Sequence, residues 1–120
     1  NNHAGSPVLA TYVHYRIINA IRSGYDSTWT NRGIKSSDDN YGEINYAHMP
    51  AILIELAFMD TYYPDNTFLQ DETFKKLAAD AIVSGIVGFW GDHGIRFTTY
   101  LPLVLNNYVP YSYYLPIIMQ

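Results

Sequence analysis

Residues Met49–Asp60 read "MPAILIELAFMD", an almost unbroken apolar run with one carboxylate, Glu55, in its middle. A run of that length, opened by Pro50 and continuing over Ala51–Met59, predicts a strand buried on both faces, as in a sheet covered by helices. Side chains alternate along a strand, so Leu53, Glu55 and Ala57 would share a face. Burying an ionised carboxylate there costs several kcal/mol or more without a partner. Three readings stay open. Glu55 lies at the carboxyl end of the strand and reaches a crevice, where open α/β sheets bind ligands; or it pairs with Arg32 or Lys35; or it faces a metal site and does chemistry.

Helices are expected on either side of this run. Ser6-Pro7 offers an N-cap and a proline for the first helical position. Leu9, Val13, Ile17, Ala20 and Ile21 then recur at helical spacing, and Gly24 supplies a stop. Residues 25–48 are polar and rich in turn formers, with a short strand expected within Gly42–Tyr46. After the loop "TYYPDNT", Asp71 caps a second helix whose stripe is Phe74, Leu77, Ala78, Ala81, Ile82, Ile86 and Phe89, ending near Gly91. Helix, buried strand and helix imply an α/β layer structure. The strands that a central strand needs beside it are expected upstream of Asn1.

From His93 on the chain changes character. Its only charged residue there is Arg96, and "YLPLVLN" from Tyr100 is echoed by "YLPIIMQ" from Tyr114. Each copy reads as a short β segment whose proline restricts it to an edge or a strand start. A hairpin covering an exposed edge and a surface-attachment element both fit. The expected organisation is therefore residues 1–92 as one domain portion and 93–120 as a tail with a twofold repeat.

With 120 residues, 48% hydrophobic and 15% charged, the chain is long enough for one globular core. A formal net charge of −4 argues against nucleic acid, which needs a basic patch. No cysteine is present, which removes disulfides and thiolate chemistry. No transmembrane segment is expected, because no apolar run approaches the roughly 20 residues a spanning helix requires. The first residues resemble neither a signal peptide nor a transit peptide.

Three segments in order, "NRGIK" at Asn31–Lys35, "MPAILIELAFMD" at Met49–Asp60 and "LQDETFKKLAADAIVSGI" at Leu69–Ile86, resemble the C-terminal portion of the zinc-dependent N-acetylmuramoyl-L-alanine amidases. The resemblance covers about residues 6–91. It implies an α/β fold with a central mixed sheet flanked by helices, incomplete in this chain. It also implies hydrolysis of the amide between N-acetylmuramic acid and L-alanine in peptidoglycan, and hence an extracellular or cell-envelope location. By position, Glu55 matches the family's catalytic glutamate. Arg32 and Lys35 match positions near the substrate groove, where they would contact substrate carboxylates or tether the loop. Ala57 stands where many members have Gly.

The family holds zinc (Zn) with two His and one Glu that lie before the helix matched by Pro7–Ser23. Those ligands are expected upstream of Asn1, and none is assigned in this chain. His3 lies in the loop "NNHAG", with no apolar strand before it. His14, His48 and His93 stand at no familiar zinc spacing, and a structural role fits each better. The alternative function is a non-catalytic cell-wall or surface-binding module, in which tyrosines stack on sugar rings.

Overall fold

The computed structural model describes residues 4–36 and 41–92. The chain divides into two units, Asn1–Phe89 and Trp90–Gln120. In the second, the described residues are the helical Trp90–Asp92; the repeat segments at Tyr100 and Tyr114, and His93, lie outside the described residues, as does His3 in the first unit.

Helix α1 spans Ser6–Gly24 and forms as its apolar spacing predicts, burying Leu9, Val13, Ile17 and Ile21. Its start differs from expectation. Gly5 is the N-cap, and Ser6 is inside the helix with Pro7 after it. The Ser6 hydroxyl is thereby free of capping duty and accepts the Ala51 N–H at 3.1 Å. A four-residue helix, α2, occupies Gly42–Asn45, where a short strand was expected. Tyr62–Asn66 makes a broad turn with Tyr63 extended inside it and a cis Tyr63–Pro64 bond. The short helix α3 follows at Thr67–Gln70, then the long α4 at Glu72–Asp92.

The central mixed sheet is absent: no strand occurs among the described residues, and Ala51–Phe58 is irregular. A strand exists only by hydrogen bonding to a neighbouring strand, and the described residues supply none. The amides that anchor the run lie at its ends and donate to side chains, Ala51 to Ser6 and Phe58 to Asp65. Burial on both faces fails with it, since Leu53 is 53% exposed and Met59 78%.

The core is instead a helix pair with an aromatic cluster at one end. Gly85 of α4 meets Val13 of α1 so closely that a Cβ on it would come within 2.6 Å of the Val13 Cα. Gly24 faces Leu77, and Tyr12 faces Gly88 and Phe89, so the two helices run antiparallel. That approach requires small residues on α4 and sets its rotation. The buried positions are Phe74, Ala78, Ala81, Gly85 and Phe89. Ile86, expected in the stripe, is 37% exposed, and Leu77 and Ile82 lie half-buried on its flanks. At the end of the pair Tyr25, Trp29, Phe68 and Phe74 stack and edge on one another with centroids 4.9–5.6 Å apart.

Candidate active site

The site begins on Trp29, 3% exposed, which lies against Phe68 and Phe74. Its carbonyl accepts Arg22 Nε–H from α1 at 2.9 Å. Asp26 sets up the approach, its carboxylate accepting the N–H and hydroxyl of Thr28 at 2.8 and 2.7 Å. Those bonds favour the ionised form and hold the Asp26 carboxyl below its ordinary value.

Asn31–Lys35 is tied back to α1 by Asn31. Its Oδ1 accepts His14 Nε2–H at 2.9 Å and Gly33 N–H at 2.8 Å. His14 is thus a structural partner rather than a ligand. Gly33 sits at φ 76°, a left-handed conformation that other residues adopt only with strain.

Arg32 is carried over the aromatic cluster by this loop. Its guanidinium carbon lies 5.7 Å from the Trp29 ring centroid and 5.1 Å from that of Phe58. Nη2 donates to both oxygens of Asp65, at 3.2 and 2.9 Å. Asp65 is fully buried, and its Oδ2 also accepts Phe58 N–H at 2.8 Å. A buried carboxylate is tolerable only with such partners. Phe58 is three residues beyond Glu55, so Arg32 and the Glu55 segment are brought together through Asp65 and the Phe58 ring.

Glu55 is exposed rather than buried, and no described residue bonds to it. Neither Arg32 nor Lys35 pairs with it. Arg32 is committed to Asp65, and Lys35 is exposed, with no partner among the described residues. The ion-pair reading of Glu55 therefore falls, and its expected desolvation does not arise. What stands is a carboxylate open to solvent on a segment anchored at Ala51 and at Phe58. His48 is exposed.

On the far side of the aromatic cluster Asp71 caps α4 as expected, accepting N–H from Thr73 at 2.7 Å and from Phe74 at 3.1 Å. The Phe74 bond leads in holding the Asp71 carboxyl below its ordinary value. Its neighbour Tyr25 is pushed up, by desolvation first and then by its hydrogen bond to Asp71.

Among the described residues no group of three or more His, Cys, Asp or Glu side chains converges to hold a metal ion. The donor set of the described residues does not fit a zinc centre. No described helix is long and apolar enough to cross a membrane. Sequence reading missed Asp65 and Ser6. An Asp after Pro in a polar loop reads as a turn residue, and nothing local connects Asp65 to an arginine 33 residues away. Ser6 reads as a cap because it precedes Pro7 at a helix start.

The sequence profile of the N-acetylmuramoyl-L-alanine amidase family matches residues 1–87. A protein of Bacillus subtilis (strain 168) described as "Uncharacterized protein YqiI" is 33% identical over 82 residues, which are 68% of this chain and 35% of that protein. The matched region thus spans about a third of that relative. No solved structure matches.

Proposed function

Because the chain belongs to the N-acetylmuramoyl-L-alanine amidase family, we propose that Glu55 is the general base and acid of an amide hydrolysis on peptidoglycan. The bond cut is the one between the lactyl carbonyl of N-acetylmuramic acid and the nitrogen of L-alanine. Glu55 takes a proton from the attacking water, whose oxygen bonds to the carbonyl carbon. The carbon–nitrogen bond then breaks, and the proton passes to the departing L-alanine nitrogen, leaving a carboxylic acid and a free amine. A carboxylate with no protein partner suits this role, because its oxygens are available to water. The single observation that carries the reading is Glu55 exposed and unpaired among the described residues on a doubly anchored segment; that it corresponds to the family's catalytic glutamate rests on the resemblance of the "MPAILIELAFMD" motif.

The exposed Lys35 is the cation proposed to meet carboxylates of the muramoyl or stem-peptide groups, while Arg32, held on Asp65, is proposed to tether the loop. Substrate in the wall places the protein outside the cell or in the envelope. Zinc belongs to this reading through the family.

The test is Glu55→Gln in the full-length protein, assayed with zinc by release of L-alanyl peptides from muropeptide. Loss of the base lowers kcat by about 10²–10⁴-fold. Full activity would exclude the assignment. A second reading, wall binding without cleavage, is favoured by the exposed rings of Tyr15, Tyr46, Tyr62 and Tyr63, which can stack on sugars. It requires that the native protein sediment with insoluble peptidoglycan while releasing no L-alanyl peptide.

A further inference from the structure

Among the described residues no strand pairs with the Glu55 segment to make it rigid, yet a general base must be held in place to act. Its N-terminal end is held by Ser6 and its C-terminal end by Asp65. Asp65 does more than accept one amide. It is fully buried, it receives Arg32 through both oxygens, and Arg32 lies against Trp29 and the Phe58 ring. Trp29 is in turn fastened to α1 by Arg22. An unbroken set of contacts thus runs from the helical core through Trp29, Arg32 and Asp65 to the backbone three residues from Glu55.

We propose that Asp65 is the positioning residue of this site: its buried carboxylate fixes the segment that carries Glu55 by accepting Phe58 N–H, with Arg32 holding the carboxylate in register. Asp65 touches no substrate and exchanges no proton in the reaction. The inference rests on Glu55 being the catalytic carboxylate, but the clamp is measurable without any activity.

The first measurement is site-resolved amide exchange in the unmodified chain. The neighbouring Ala57 amide has no partner among the described residues, whereas Phe58 N–H is bonded to Asp65. Phe58 should exchange at least about tenfold more slowly than Ala57, after correction for intrinsic rates. Equal rates overturn the proposal. The second is Asp65→Asn, which keeps the volume and removes the charge. Asparagine keeps one acceptor oxygen but sets an NH2 against Arg32, so the clamp should loosen and Phe58 protection should fall while Ala78 and Ala81 of α4 keep theirs; unchanged protection at Phe58 overturns the proposal. In the full-length protein kcat on muropeptide should fall by about 10–10²-fold, with KM changed by less than about threefold. An unchanged kcat overturns the positioning role, as does a fall in kcat no larger than the fall in folded fraction reported by the α4 amides. If Asp65→Asn does not fold, the exchange comparison in the unmodified chain decides. Glu55→Gln is run beside it. Full activity in that variant removes the catalytic reading and leaves the exchange result to judge the clamp alone.

Discussion

Arg32 is bound to Asp65, not to Glu55: its Nη2 lies 2.9 Å from Asp65 Oδ2, and the carboxylate is fully buried. Of two acids within one stretch of chain, the one that read as a turn residue is buried and paired. The one that read as buried is open to water. The pairing separates structure from chemistry at this site, because the cation that could have neutralised Glu55 is occupied elsewhere.

Removing Arg32 leaves the fully buried Asp65 with one backbone donor. Truncating one partner of a buried pair is strongly destabilising because a charge is left uncompensated. Arg32→Ala should therefore cost about 3 kcal/mol, the low end for such pairs since the Arg32 side chain is partly exposed. Glu55→Gln, by contrast, should change stability by less than about 0.5 kcal/mol, as an exposed substitution that breaks no contact. Denaturant unfolding of both variants makes the comparison. A large loss from Glu55→Gln would mean that Glu55 holds a structural partner.

Gly85→Ala tests the helix pair. The added methyl would lie 2.6 Å from the Val13 Cα and 3.0 Å from its backbone nitrogen, atoms that cannot rotate aside. Alanine gains about 1 kcal/mol of helix propensity over glycine. Overpacking against backbone exceeds that gain, so the net loss should be about 2 kcal/mol. Gly91→Ala, whose Cβ would meet nothing within 4 Å, should leave the thermal midpoint unchanged or raised.

The core is the aromatic cluster and the α1–α4 seam, not the run around Glu55. Phe74, fully buried, touches Tyr25, Trp29 and Phe68. Phe74→Ala should cost about 3–5 kcal/mol. Leu53→Ala, at a position 53% exposed, should cost less than about 1 kcal/mol in the chain as described. Thermal melts that rank the two the other way would show the Leu53 run to be buried in solution.

Asp71 gives the fold an acid-sensitive element. Its carboxyl, ordinarily near 3.8, is lowered in the folded chain, with the Phe74 N–H as the leading cause. A group whose folded value is depressed stabilises the fold above its unfolded value and loses that contribution as pH falls through the folded one. The stability difference between the native chain and Asp71→Ala should thus be full at pH 7 and shrink as pH falls below 3.8. A difference that stays constant into acid would show that the cap acts without its charge.

Local features were legible in the residues. The apolar spacing of α1, the Asp71 cap and the span of α4 follow from rules that act over one or two turns. The order of "NRGIK", "MPAILIELAFMD" and the α4 segment pointed to the family whose profile matches residues 1–87. The strand around Glu55 did not follow in the same way. Apolarity shows that a segment can be buried, but a strand requires a partner strand, which no segment encodes for itself.

What the amino-acid sequence determined by itself is therefore the two long helices, α1 and α4, and the family. Helical hydrogen bonds close within a few residues, and motif order is a property of the chain alone. Only the tertiary structure decided that Ala51–Phe58 is irregular, that Gly85 rotates α4 against Val13, and that Arg32 belongs to Asp65. Each of these joins residues far apart in the chain, and each turns on close packing or on the cost of an unpaired buried charge. Those energies exist only once the distant segments meet, so no local pattern could announce them.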